Sequence, residues 1–428
     1  CAAAAAPDAI DPQLAARYFE EARALAEGDR GTLWGVALYG PMLFVDPDSR
    51  AVAANQADAG GLLTPAAGIF VGTLPPDVKI ASGSFDWAGV RWTAILWPEL
   101  SFDATARARL MMHELFHRIQ PSIALSAPGP ASPHLDTLEG RIWLQLEWRA
   151  LRAALDRAGP QRRAAIEDAL VFRAARRTFF PDGASAEAAL ELAEGLAEYT
   201  GLRLDGTSAG ETRRLVTTRL GTAHDRLSFA RSFAAETGPA YGLLLDEAQP
   251  GWRREVGAGD DLAWLLRDAI GWSLPADPMP LATERALRYD GARLRAGETE
   301  RERDRQQRTA QARALLVDGP VLVLPLDASS SYALDTSAAL PLGDAGVYYP
   351  AVRASAGWGI LEAASGVLVN LQAGYLHVSA PSDPDARPLE GHGWILTLTD
   401  GWRIVAGARD GDFQVAPSGG EESGETAL

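Results

Sequence analysis

Met111-Met112-His113-Glu114-Leu115-Phe116-His117 is the stretch on which the reading of this chain turns. Its two histidines are four residues apart, so on an α-helix they leave one face and their imidazoles can reach a single metal ion. The glutamate beside the first histidine is placed to act as general base on a water at that metal. The chain has 6 histidines and 56 acidic residues among 428. At that composition the pattern arises by chance on the order of 0.01 times per chain. Met112, Phe116 and Ile119 form an apolar stripe with Met111 and Leu115 beside it, which predicts a helix over about 103–120. Pro121 stops it.

The surroundings of this helix change texture twice. Residues 11–29 read as a helix with Leu14, Tyr18, Ala22 and Leu25 on one face. Between Gly31 and Pro98 short apolar runs predict strands over 36–39, 69–72 and 90–97. Helices are expected over 137–157, 160–178, 185–200 with Gly201 as a C-terminal stop, 209–235 and 239–247. Residues 282–316, dense in charges of both signs, read as a solvated connecting helix. Strands return over 321–326, 366–370, 375–378, 394–399 and 402–405, the last two flanking Asp400-Gly401, a two-residue hairpin signal.

The expected fold class is therefore α+β. Its parts are a flexible tether over 1–10, an N-terminal α/β-rich part over 11–100 and a helical metal-binding part over 101–281. The charged helix over 282–316, a β-sandwich or β-roll over 317–416 and a disordered tail over 417–428 complete it.

Two histidines need a third ligand. The metzincin continuation would place glycine at 120 and histidine at 123; the chain has Gln120 and Ile123, which excludes it. Further on, Glu194-Gly195-Leu196-Ala197-Glu198-Tyr199 resembles the second zinc motif of gluzincin metallopeptidases. The resemblance spans about residues 90–250 and implies that Glu194 binds the metal while Glu198, one turn later, orients a histidine ligand. It also implies an extended peptide substrate along a sheet edge, here 90–97, and a downstream tyrosine at the developing oxyanion. Tyr241 is the first candidate for that last role, with Tyr199 and His224 as alternatives.

The chemistry supports the ligand set independently. Two neutral imidazoles and one carboxylate leave a fourth position for water, as in an open catalytic Zn²⁺ site. Gly195 would let the two ligand-bearing helices approach closely. Glu139, Glu147, Glu191 and His134 are rivals for the third position. Glu187, Glu191, Glu194 and Glu198 fall on one helical face, an acidic stripe whose ordinary use is solvated surface. Seventy-six residues separate His117 from Glu194. That is longer than in familiar gluzincins, and the interval reads as an inserted helical hairpin over 137–178.

Composition bounds the partners. With 40 basic against 56 acidic residues the net charge is -16, an unfavourable field for nucleic acid. No run approaches the roughly 20 apolar residues of a membrane-spanning helix. The single cysteine is Cys1, followed by an alanine-rich run, an arrangement that resembles a mature bacterial lipoprotein. The resemblance implies a lipid on Cys1 and a place on the cell envelope. The absence of other cysteines excludes a thiolate metal site. The expected function is a zinc-dependent metallopeptidase acting on peptide or protein. The alternatives are a cell-envelope binding lipoprotein with a structural metal site, and a zinc hydrolase with a non-peptide substrate.

Overall fold

The computed structural model describes residues 10–75, 78, 80–125, 131–327, 330–334 and 339–418. Cys1 with most of its expected tether, and the tail from residue 419, lie outside them. The chain is α+β and divides between Glu298 and Thr299 into two compact units.

The first unit opens with helix α1 (Pro12–Asp29), capped by Asp11. Six strands come next: β1 (Met42–Val45), β2 (Ala51–Ala54), β3 (Thr64–Ala66), β4 (Ile69–Thr73), β5 (Gly83–Trp87) and β6 (Val90–Leu96). They form one sheet in the order β3-β4-β2-β1-β6-β5, with β1 and β6 parallel and the other pairs antiparallel. Alternation along the strands gives each face its own core. Met42, Phe44, Ala53 and Ile95 join the helical core, whereas Leu43, Val45, Val52, Trp92 and Ala94 pack on the opposite face.

Two strand expectations change here. Residues 36–39 form no strand, because side chains engage this segment: Arg118 donates to the Leu38 carbonyl and Asn55 to that of Gly40. The strand over 90–96 lies inside the sheet, between β1 and β5, and the edge belongs to β5. Ala88 and Gly89 join β5 to β6 with positive φ at both positions, the two-residue turn whose twist suits a tight hairpin.

Helix α2 (Ala104–Ile119) carries the two histidines and starts where Asp103 accepts the Ala106 N–H at 2.7 Å. Its apolar stripe, Met111, Met112, Leu115, Phe116 and Ile119, is buried. The helices α3 (Leu138–Asp156) and α4 (Gly159–Phe179) form the expected hairpin. Then come α5 (Ala184–Leu190), a π turn (Glu191–Gly195), α6 (Leu196–Leu204), α7 (Ala209–Thr222), α8 (Ala234–Ala248), α9 (Leu262–Ala269), α10 (Met279–Ala286) and α11 (Gly291–Arg313). The helix expected over 209–235 therefore ends at Thr222, and the one expected over 239–247 starts at Ala234. Gly201 does not end its helix. It sits within α6 against α2, where an added Cβ would lie 2.7 Å from the Arg109 carbonyl oxygen. Gly195 packs not on α2 but on Gly238 of α8.

The charged segment is interrupted by Asp290, whose φ is 55°, and Glu298 is no solvated residue. It is buried and accepts from Arg141 and Gln145.

The second unit holds the strands β7 (Val321–Pro325), β8 (Ser331–Leu334), β9 (Leu340–Pro341), β10 (Val347–Tyr349), β11 (Val352–Ala356) and β12 (Gly359–Ala363). After them come β13 (Val367–Asn370), β14 (Tyr375–Ser379), β15 (Leu389–Gly391), β16 (Trp394–Leu398), β17 (Trp402–Ala406) and β18 (Phe413–Pro417). They form a seven-stranded sheet, β17-β18-β7-β14-β13-β10-β9, and a five-stranded sheet, β15-β16-β12-β11-β8. Leu322, Leu324, Leu376 and Val378 from the first and Val352, Leu361, Trp394 and Leu396 from the second share one apolar core. Asp400-Gly401 makes no hairpin: β16 and β17 belong to different sheets. Gly401 has φ 86° while Asp400 keeps a negative φ, so the turn is not the doubly left-handed kind that holds two strands in register.

Candidate metal centre

His113 and His117 come together with Glu194. Their Nε2 atoms are 3.1 Å apart, and Glu194 Oε2 lies 3.9 Å from the first and 3.6 Å from the second. These three atoms lie on a circle of about 2.1 Å radius, which matches zinc–nitrogen and zinc–oxygen bond lengths. Among the described residues this is the one group of three or more such ligands with that closeness.

The hydrogen bonds fix which ring nitrogen is free. Glu198 as carboxylate only accepts, so its contact with His113 Nδ1, at 3.3 Å, requires a proton on Nδ1. Gln120 is fixed more indirectly. Its Nε2 donates to the carbonyls of Ala193, at 3.0 Å, and Leu192, at 3.4 Å, which leaves Oε1 as acceptor for His117 Nδ1 at 2.8 Å. In the neutral imidazoles both Nε2 atoms then present lone pairs to each other, with a carboxylate oxygen alongside. Three such atoms could hold a metal ion, and two imidazoles with one carboxylate are a donor set that zinc accepts.

Burial acts to lower the pKa of His113, but the Glu198 hydrogen bond and the surrounding carboxylates outweigh it and raise the pKa. His117 is lowered, by burial and then by His113. Glu198 is held at about 2: burial opposes this, but His113 and the Arg219 guanidinium prevail. Arg219 bridges Glu198 and Glu236. Glu114, beside His113 and lining the same cavity, is pushed up to about 7, chiefly by burial. Its Oε2 is buried without a hydrogen-bond partner among the described residues.

The π turn explains how one acidic stripe serves two sites. In a continuous α-helix Glu187, Glu191, Glu194 and Glu198 would share a face. The wider turn over Glu191–Gly195 rotates α6 about the helix axis relative to α5. Glu187 and Glu191 consequently point into a buried arginine cluster, bonded to Arg176 and Arg173, while Glu194 and Glu198 face α2. None of the four is the solvated surface that such a stripe usually forms.

The rival ligands are engaged elsewhere. Glu147 binds Arg173 and Arg176, Glu191 binds Arg173, Glu139 binds Arg295, and His134 bonds to Glu187 at 2.7 Å. The oxyanion candidates are corrected too. Tyr241 is fully buried and its hydroxyl donates to Glu147 at 2.6 Å, within the arginine cluster. Tyr199 donates to Asp246, and His224 is exposed on a separate short turn. None of the three lines the cavity of the histidines.

That cavity, of about 400 Å³, is lined instead by Ser82, Gly83 and Ser84 at the β5 edge, by Arg91, and by Gln120 with the histidines and glutamates. Arg91 donates to Ser84 Oγ at 3.0 Å and to Asp86 at 2.9 Å, and Ser84 Oγ donates to the His117 carbonyl at 3.3 Å. The sequence carried a signal for Gln120, which stands three residues after His117 and so one turn along the same face. For Arg91 and Arg219 it carried none, because both reach the site through tertiary packing. No protein-family model, curated protein or solved structure matches this chain.

Proposed function

We propose that this chain is a zinc-dependent hydrolase that cleaves peptide bonds. The observation that carries the reading is the acceptor triangle of His113, His117 and Glu194 beside the buried, unpartnered carboxylate of Glu114. Zinc held there supplies Lewis acidity, which lowers the pKa of water and polarises a carbonyl oxygen. Glu114 takes the proton of the attacking water and returns it to the leaving amine, a task suited to a carboxyl poised near 7. Glu198 and Gln120 hold the two imidazoles in the tautomer that leaves Nε2 free. Arg91 stabilises developing negative charge on the substrate, the role for which Tyr241 is the first candidate by sequence. The unpaired side of β5, whose Gly83 and Ser84 line the cavity, offers backbone groups to an extended peptide.

Cleavage of a diverse peptide pool tests this reading. Native protein loaded with zinc should cut peptides, and Glu114→Gln should retain zinc while losing at least about a hundredfold in rate. Absence of cleavage by zinc-loaded native protein would refute the peptidase reading.

A further inference from the structure

Arg219, on α7, joins the metal site to the start of α8. Its Nη1 donates to Glu198 Oε1, its Nε to Glu236 Oε2 at 3.1 Å, and its Nη2 to the Ala235 carbonyl at 2.9 Å. Glu198 turns its other oxygen to His113 Nδ1, at 3.3 Å, and Glu236 accepts at its other oxygen from Arg226, at 3.1 Å. Each of these four carboxylate oxygens thus has a partner. A continuous chain of polar contacts runs from α8 through α7 and α6 to the first histidine of α2.

The links are largely withdrawn from water: Glu236 is 2% exposed, and the side chains of Arg219 and Glu198 are 21% and 15% exposed. A guanidinium presents its N–H groups in a fixed planar fork, so three bonds to three groups set its orientation as well as its place. A glutamate held at one oxygen loses most of its freedom to swing the other. With Oε1 claimed by Arg219, Oε2 stays aimed at His113. A neutral imidazole carries its proton on either ring nitrogen, and the acceptor beside one of them decides which.

The start of α8 bears on the third ligand as well. Glu236 stands two residues before Gly238, which packs on Gly195, the neighbour of Glu194. Arg219 therefore ties the His113 support to the same stretch of α8 that backs Glu194.

On the zinc reading given above, we infer that Arg219 is a positioning residue of the metal site. It holds Glu198 so that His113 keeps its proton on Nδ1 and offers Nε2 to the metal, and Glu236 with the Ala235 carbonyl holds Arg219 in turn.

Nitrogen-15 NMR of the imidazoles in the metal-free full chain, at about pH 9 where they are neutral, tests this without zinc. Native His113 should carry its proton on Nδ1, and Arg219→Gln should show a mixture of the two tautomers. His117, held by Gln120, should stay unchanged in both and serves as the internal control. Arg219→Lys, which keeps the charge but not the fork, should fall between them. Chelator competition should show zinc affinity falling about threefold to tenfold in Arg219→Gln, less in Arg219→Lys, and in the same direction in Glu236→Gln. A merely structural arginine would lower Tm alone. Should Arg219→Gln lose its native circular dichroism, Arg219→Lys and Glu236→Gln carry the same comparison. A native-like His113 tautomer and zinc affinity in the folded variants would overturn the inference. Native protein that binds no zinc while its His113 tautomer responds as expected would sink the zinc reading and uphold the hold of Arg219 on His113.

Discussion

His117 donates from Nδ1 to the side-chain oxygen of Gln120 at 2.8 Å, and the amide nitrogen of the same Gln120 reaches the Ala193 carbonyl one residue before Glu194. One buried side chain thus sets the tautomer of one candidate ligand and ties down the backbone that carries another. Gln120→Leu should therefore lower zinc affinity by about 10–100-fold, the scale on which such supporting contacts act. Competition with a chelator of known affinity measures this. An unchanged affinity would remove Gln120 from the site.

Arg91 and Tyr241 should separate cleanly. Arg91→Gln is expected to reduce kcat/KM by about tenfold or more while leaving the melting temperature within a degree or two. Tyr241→Phe should leave kcat/KM unchanged and cost about 1–2 kcal/mol in urea unfolding, because it removes one buried hydrogen bond to Glu147. The opposite pattern would restore Tyr241 to the oxyanion.

The fold class was legible because periodicity is a local property. The apolar stripe of α2 repeats from turn to turn, and the Asp103 cap and the stop at Pro121 each act on the turn beside them. What escaped was tertiary. Gly201 reads as a helix stop in sequence, yet it marks where α6 closes on α2, and Gly195 marks the contact with α8 rather than with α2. Asp400-Gly401 has hairpin composition, but whether its two strands pair depends on the sheets on either side. That His113, His117 and Glu194 come together was legible in residue type and spacing. Tyr241 lies away from the cavity because its hydroxyl donates to Glu147 in the arginine cluster, and nothing local in the sequence reveals that cluster.

The Gly195–Gly238 contact should be sensitive to a single methyl group. A Cβ at Gly238 would lie 2.3 Å from the Gly195 Cα, so Gly238→Ala should destabilise by about 2 kcal/mol or more and weaken zinc binding as the π turn shifts. Gly210, in the first turn of α7, is the control. Its nearest atom to an added Cβ is 3.6 Å away, and Gly210→Ala should stabilise by about 0.4–1 kcal/mol. Equal effects at the two positions would contradict the packing described.

Acid should weaken the first unit in a definite window. Burial alone would raise the pKa of Glu187, but Arg176 and the His134 hydrogen bond outweigh it and hold the carboxyl well below the ordinary range. A folded pKa beneath the unfolded value of about 4.3 means that this stabilisation is complete above that pH and drains away as pH falls toward the folded pKa. Urea midpoints should drop below about pH 4, and Glu187→Gln should be less stable at pH 7 with a shallower acid decline. An unchanged acid slope in that variant would show that the cluster does not govern it.

Zinc stoichiometry tests the central claim most directly. Native protein equilibrated with zinc and passed through a desalting column should retain one equivalent by mass spectrometry of the metal. Glu194→Ala should retain far less under the same conditions while keeping the native circular dichroism spectrum. Native protein that retains no zinc, or a Glu194→Ala variant that binds it as tightly as the native chain, would contradict the account.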